Sequence, residues 1–244
     1  MESSTKINEL IDQAKQYMLN SKDPLHDITH VERVVKFTEK LSGDFKLTKT
    51  EKEALLLAAW WHDVGRTVVK KTSFLWMAAC DDIMSAFILL KTAKKYNIQN
   101  KVTRRAASLL FLKALGNNES TKKVTPKKTR LLLYILRDAD DLDLFNIKRY
   151  IIICNLTETS KFYYWAYRTI VWWSFHTRKL QMKTQTARKY LEQLVRQLLE
   201  WVKQKTIYNW HVYYFGKEWA EKTLKRIEIF CDNIVLLNLQ AKSA

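Results

Sequence analysis

The sequence predicts an all-α fold. Only four Gly and two Pro occur in 244 residues, far fewer turn residues than a β-rich fold of this length needs. Hydrophobic residues make up 47% of the chain, enough for a sizeable core. In successive segments these residues recur with helical spacing, so helix is the favoured structure throughout.

Helical periodicity in the first part of the chain predicts six helices. Residues 21–27 are a loop or a helix start with Asp23 and Pro24 as initiation signals, and Gly43 follows the second helix as a stop. Thr50 and Glu53 have the spacing of a capping box at the third, and Pro126 opens the sixth. A polar loop is expected over residues 116–128. The predicted helices are Thr5–Leu19, Ile28–Leu41, Thr48–His62, Trp76–Tyr96, Val102–Leu115 and Pro126–Leu144.

Four more helices are expected after these: Ile147–Asn155, Lys161–Phe175, Thr184–Lys205 and Trp210–Val235. No internal repeat or flexible linker separates them from the first six. The prediction is one helical domain, with residues 1–150 as its core. Residues 151–244 form a basic, aromatic-rich C-terminal extension packed on the same domain.

The net charge of +17, with a pI near 9.7, predicts attraction to polyanions. A plainly solvated basic surface is an equal alternative. The three cysteines are far apart and no secretory segment is evident, so a cytoplasmic location is expected. The aromatic segment 162–176 is too short to span a membrane and contains Arg168. Its aromatics could lie at a membrane interface, but a buried amphipathic helix is favoured.

Three segments carry side chains that can bind metals. In the first, His26 and His30 are four residues apart, which places them on one helix face. In the second, an unbroken apolar run of eight residues ends at His62 and Asp63. In the third, Asp140 is in register with leucines of a predicted helix and should point inward, where a carboxylate needs a cation or several donors. Taken singly, the segments are more typical of a core histidine, a common dipeptide and an acidic helix end than of a metal site.

Together the segments offer two imidazoles and two carboxylates from separate helices. This mixed nitrogen and oxygen set suits one divalent ion, with Mn, Mg, Co, Ni, Fe and Zn as candidates. A closed structural zinc site would use thiolates, and no cysteine is close in sequence.

The order His, His-Asp, Asp on helices resembles the HD-domain superfamily of metal-dependent phosphohydrolases. The similar stretches are HDITHVERVV (26–35), LLLAAWWHDVGR (55–66) and ILRDADDLD (135–143), with a weaker likeness in 180–194. The resemblance implies an HD-domain bundle whose apolar central helix delivers His62 and Asp63 to the site. Its implied metal ligands are His30, His62, Asp63 and Asp140, with His26 as a neighbour.

The resemblance also implies hydrolysis of a phosphoester or phosphoanhydride, with a nucleotide-like phosphorylated small molecule as substrate. Some related nucleotidases carry a glutamate where this chain has Arg66. Here Asp143, Asp141 or Asp63 is expected to assist the water instead, or the metal alone suffices. No histidine lies between Val64 and Asp140, and Asp81-Asp82 stands where a second-metal histidine is expected. A single-metal site is therefore predicted. Candidate phosphate contacts are Arg33, Arg66, Arg137 and Lys148, with Arg66 also a candidate catalytic residue.

An alternative function is a basic nucleic-acid-binding helical module whose HD site is weakened or inactive. Aromatic and basic residues interleave in YYWAYR (163–168) and WHVYYFGK (210–217). Bases could stack on such aromatics between phosphate-binding cations. Aromatics at helical spacing are, however, more often core residues.

Overall fold

The computed structural model describes residues 2–68, 74–116, 125–177 and 182–240, and these ranges contain α-helices and no strand. The predicted all-α fold is confirmed. We number the helices in chain order: α1 (Glu2–Leu19), α2 (Ile28–Ser42), α3 (Lys49–Trp61), α4 (Phe74–Lys95), α5 (Lys101–Ala114), α6 (Lys127–Asp143), α7 (Ile147–Thr159), α8 (Lys161–Trp172), α9 (Gln185–Lys203), α10 (Lys205–Phe215) and α11 (Lys217–Gln240).

The chain divides into two compact units, Met1–Asp140 and Asp141–Ala244. The predicted extent of the core, residues 1–150, and the packing of the extension on it stay predictions. Most of the loop predicted over 116–128 lies outside the described residues. None of the described helices combines the length and the apolarity needed to cross a membrane.

Helix α3 is the central element of the first unit, since it contacts α1, α2, α4 and α5. Its apolar run is buried except at Leu56 and Trp60, which are half-buried. At its end the Trp61 indole is fully buried and donates a hydrogen bond to the Leu10 carbonyl of α1 at 3.1 Å. This burial explains why the helix is apolar on nearly all sides.

Helix α2 begins at its predicted residue, whereas α3 begins one residue later than predicted. Helix α2 begins at Ile28 because the Asp27 side chain accepts from the His30 amide. His26 therefore lies in the preceding turn. The prediction that His26 and His30 share one helix face is wrong. The capping box predicted at Thr50 is also wrong, since the Thr48 hydroxyl and the Glu51 carboxylate cap α3 two residues earlier.

The single helix predicted over Trp210–Val235 is wrong, because two helices meet at Gly216. This glycine has a φ of +86°, a conformation that other residues rarely adopt. Apolar residues continue with helical spacing on both sides of it, so the pattern alone hides the break. Helix α10 also begins five residues before the predicted start.

Aromatic side chains form much of the core of the second unit around the buried Tyr167. Its ring stacks on Phe215 at 5.4 Å, and its hydroxyl donates to Nε2 of His211 at 2.7 Å. The other ring nitrogen of His211 donates to the Ile207 carbonyl. His211 is thus a hydrogen-bonded core residue. The aromatic sequence around it predicts a structural role for His176 too, but the side chain of His176 lies outside the described residues.

A short 3₁₀ helix, Val64–Val68, follows α3 and packs against α4. The Gly65 amide donates to the Ser85 hydroxyl at 2.7 Å, and that hydroxyl donates to the His62 carbonyl at 2.9 Å. A Cβ atom on Gly65 would collide with the Asp81 carbonyl and lie 3.0 Å from the Met84 Cβ. Only glycine lets the turn after His62 approach α4 this closely.

Substitution Gly65→Ala should therefore lower the free energy of unfolding by about 1–3 kcal/mol, the usual cost of overpacking. Gly43→Ala is the control, because Gly43 has helical φ and ψ and its added Cβ would lie 3.3 Å from the Lys40 carbonyl. Urea denaturation of both variants measures the difference. Equal effects of the two substitutions would contradict the close approach at Gly65.

Candidate metal centre

Three ligand atoms from three helical segments converge in the first unit. Nε2 of His30 lies 3.2 Å from Nε2 of His62. Oδ1 of Asp140 lies 3.6 Å from the first nitrogen and 3.8 Å from the second. All three atoms lie within 4.8 Å of one another, a spacing that one metal ion can bridge. The sequence prediction placed these residues together.

Asp63 adds a fourth atom to this cluster. Its Oδ2 lies 3.2 Å from Nε2 of His30 and 3.5 Å from Nε2 of His62. This oxygen is buried and has no hydrogen-bond partner in the described part of the chain. A buried carboxylate oxygen without a hydrogen-bond partner lowers the stability of the folded state, and a cation bound beside it would remove this cost.

The orientation of His62 is fixed by the helix that carries it. Its Nδ1 lies 2.8 Å from the Ala59 carbonyl, which assigns the proton to Nδ1. Nε2 then presents a lone pair to the cluster, the form in which an imidazole binds metals. A proton on Nε2 of His30 can satisfy only one of the surrounding acceptors, whereas a divalent ion would satisfy all of them. The donor set therefore fits a metal.

Each carboxylate is held by one oxygen and offers the other to the cluster. Oδ1 of Asp63 accepts from Nε of Arg66 at 3.2 Å, while its Oδ2 faces the imidazoles. Oδ2 of Asp140 pairs with Nζ of Lys113 at 3.1 Å, while its Oδ1 faces them. These anchors fix the carboxylates in a position to coordinate before any ion arrives.

Arg66 and Lys113 also favour the ionised forms of Asp63 and Asp140. Burial alone would raise the pKa of Asp63, but the charge of Arg66 opposes this and holds the pKa below its ordinary value. Burial is likewise outweighed at Asp140, where Lys113 lowers the pKa of the carboxyl. Both groups are therefore carboxylates at neutral pH, as metal binding requires.

Arg66 lies at the centre of an ion-pair network. Besides Asp63 it pairs with Asp81, and its Nη1 lies 3.3 Å from Oδ2 of Asp23. Nδ1 of His26 lies 2.8 Å from the same Asp23 oxygen, and the His26 ring stands edge-on to His30 with centroids 5.3 Å apart. Arg66 is thus already engaged by three carboxylates. Its catalytic and substrate-binding roles stay predictions, and the contacts shown are those of a positioning residue.

Sequence reasoning missed Lys113. It lies in the last turn of α5, is largely buried, and pairs with both oxygens of Asp82 at 3.0 and 3.1 Å as well as with Asp140. Burial lowers the pKa of this ammonium, but Asp82 and Asp140 outweigh it and raise the pKa, so the group is charged. A lysine near a helix C-terminus is common, and the sequence held no other signal for it.

Two of the other predicted residues lie on helices that carry the ligands. Arg33 is half-buried on α2, three residues after His30, and donates to the Thr29 hydroxyl at 3.1 Å. Arg137, on α6, donates to the carbonyls of Leu112, Lys113 and Gly116 at the end of α5. Arg137 thus caps a helix C-terminus, while its predicted phosphate contact stays untested.

The remaining two predicted residues belong to the second unit. Asp143 is fully buried, with Oδ2 at 3.4 Å from Nη1 of Arg149. Such a buried, ion-paired carboxylate is typical of a structural residue, and its catalytic role stays a prediction. Lys148 is exposed in the first turn of α7.

Asp140 is the most exposed of the four proposed ligands. The imidazole side chains of His30 and His62 are at most 1% exposed, whereas the Asp140 side chain is 29% exposed.

The all-helical unit with His30 from one helix, His62 and Asp63 from the end of the next, and Asp140 from a later one is an HD-type domain. A family model described as HD-CE matches residues 13–143, more than half of the chain and all four proposed ligands. The chain therefore belongs to the HD-CE family. No curated protein and no solved structure matches it.

The pH dependence of stability tests the Asp82–Lys113 pair. Burial raises the pKa of Asp82 to about 6, with Lys113 opposing the shift. Between about pH 4 and 6 the folded state thus keeps a proton that the unfolded state has released. The stabilisation of the folded state by this proton is fully present below about pH 4 and is lost as the pH rises through 6.

The difference in free energy of unfolding between the wild type and Asp82→Asn should fall by on the order of 2 kcal/mol as the pH rises from about 4 to 6. Chemical denaturation of both proteins at a series of pH values gives the comparison. Parallel curves for the two proteins would contradict the raised pKa.

Proposed function

We propose that this chain is a metal-dependent phosphohydrolase that cleaves a phosphoester or phosphoanhydride bond of a nucleotide-like substrate with water. The observation that carries the proposal is the convergence of His30, His62 and Asp140, joined by the orphaned oxygen of Asp63. Membership of the HD-CE family supports it.

The charge balance around the cluster supports metal binding. Among the residues that the structure describes, five carboxylates lie at or next to it, and the permanent cations that pair with them are Arg66 and Lys113. With neutral imidazoles this set carries a negative charge, which attracts a divalent cation and repels a bare phosphate. The five acids are Asp23, Asp63, Asp81, Asp82 and Asp140.

The residues that would hold the ion are His30, His62, Asp63 and Asp140. When bound, a divalent ion supplies a lowered pKa for water and polarises a phosphoryl oxygen. Asp81 and Asp82 are already paired with Arg66 and Lys113, which supports a site for one ion rather than two. Manganese, magnesium, cobalt, nickel, iron and zinc all accept this donor set.

The protein's own contribution is to hold these groups rigidly. Arg66 and Lys113 keep the two carboxylates ionised and oriented, and the Ala59 carbonyl fixes the imidazole of His62. Arg33, one turn after His30 and half-buried, is our proposed contact for a phosphate oxygen. Such preorganised charges stabilise the negative charge that develops in phosphoryl transfer.

The first test joins metal content to hydrolysis. The purified protein should contain about one divalent ion per chain and release phosphate from some member of a nucleotide panel when Mn²⁺, Mg²⁺, Co²⁺, Ni²⁺ or Zn²⁺ is supplied. Asp63→Asn and His62→Gln should lower both metal content and turnover by about a hundredfold or more, as expected for ligand loss.

Asp44→Asn is the matched control, because Asp44 is an exposed acid of the same unit. It should leave metal content and turnover unchanged. Asp143→Asn, run beside it, tests the predicted catalytic role of that buried acid. A wild-type protein that binds no metal, or whose turnover survives loss of Asp63, would overturn the proposal.

Substitution Arg33→Ala should raise KM about tenfold or more with a smaller effect on kcat, because a phosphate contact made throughout the reaction contributes mainly to binding. The KM of Lys148→Ala, which removes the exposed lysine of the second unit, is compared with that of Arg33→Ala. Steady-state kinetics of both variants measures the effect. An unchanged KM in Arg33→Ala would exclude the proposed contact.

A further inference from the structure

Helix α8 presents an unusual exposed face. Its exposed positions are Lys161, Phe162, Trp165, Thr169 and Trp172. A helix on a protein surface normally exposes charged and polar side chains, but here three of five positions are aromatic. Phe162, Trp165 and Trp172 are 59%, 62% and 46% exposed.

These aromatics form a line along the helix. The positions 162, 165, 169 and 172 are separated by three, four and three residues, which places them on one face. Trp173, in the π-helical turn that follows, is 47% exposed and extends the line. The opposite face is the buried one, where Tyr167 and Val171 enter the core of the second unit.

The sequence around α8 contains basic residues and no acidic ones. No acidic residue occurs between Glu158 and Glu192, whereas seven basic residues do. Two of these, Lys161 and Arg168, belong to α8 itself. An exposed aromatic helix face within a stretch of sequence that carries cations and no carboxylate is complementary to a surface of apolar chains and anionic headgroups. The seven are Lys161, Arg168, Arg178, Lys179, Lys183, Arg188 and Lys189.

We propose that α8 docks the protein peripherally on an anionic lipid surface. Phe162, Trp165 and Trp172 enter the interfacial layer, where tryptophan is favoured because its ring is apolar and its N–H polar. Lys161 and Arg168 pair with the headgroup phosphates. The helix lies in the plane of the interface and does not cross the bilayer, in keeping with its 12 residues.

The details of the face favour lipid over nucleic acid as the occupant. Base stacking needs open ring faces, but the Arg168 guanidinium lies over the Trp165 ring, 5.3 Å from its centroid. Three other aromatics of the interleaved segments, Tyr167, His211 and Phe215, already contact one another inside the unit. The remaining exposed aromatics of α8 share one helix face, as binding to a flat surface requires.

Sedimentation of the full chain with lipid vesicles tests the proposal. Binding is expected to vesicles of phosphatidylcholine mixed with phosphatidylglycerol, and to be weaker with phosphatidylcholine alone. The double variant Trp165→Ser/Trp172→Ser should bind the mixed vesicles at least about tenfold more weakly, because two large apolar surfaces no longer leave water. Tyr213→Ser is the matched control, since Tyr213 is an exposed aromatic on α10.

Tyr213→Ser should bind as the wild type does. Tryptophan fluorescence of the wild type should also be quenched by lipids brominated near the headgroup end of the acyl chain, a readout that needs no variant. Absence of vesicle binding, equal binding by the double variant, or absence of quenching would each overturn the proposal. Binding of a single-stranded oligonucleotide that the double substitution abolishes, without vesicle binding, would assign the face to nucleic acid instead.

Discussion

The candidate site depends on one arrangement, in which a buried cation holds each of two carboxylates by a single oxygen. Arg66 holds Asp63 and Lys113 holds Asp140, so both acids stay ionised in surroundings that would otherwise favour their protonation. The free oxygens then face two imidazole nitrogens. Without these anchors, burial would neutralise the acids, and the cluster would lose the charge that attracts a metal.

The rest of the first unit serves to bring these groups together. Helix α3 contacts α1, α2, α4 and α5 and is therefore buried on nearly all sides. His62 and Asp63, which follow it, lie in the interior of the unit. The turn beyond it is bound to α4 through Ser85, which accepts from the Gly65 amide and donates to the His62 carbonyl. The backbone on either side of His62 and Asp63, the two proposed ligands, is thereby bound to α4.

Much of this could be predicted from the sequence, because long helices and their apolar periodicity are local signals. The helices were expected close to where they lie, and His30, His62 and Asp140 were expected to meet. Features that depend on tertiary contacts were missed. Lys113 looks like an ordinary lysine near a helix end, and only the packing of α5 turns it toward Asp82 and Asp140. The break at Gly216 was hidden because apolar residues continue across it.

The negative charge of the cluster stands in contrast to the basic chain around it, and this contrast sets an order of events. A net charge of +17 draws anions toward the protein as a whole. At the cluster itself, however, five carboxylates of the described residues meet two permanent cations, so the local charge is negative, and a divalent ion would reduce that charge without reversing it. Under the proposed function, a phosphate ester would therefore bind more readily after the ion than before it. At limiting metal, excess phosphate ester would then compete only weakly for the metal-free protein.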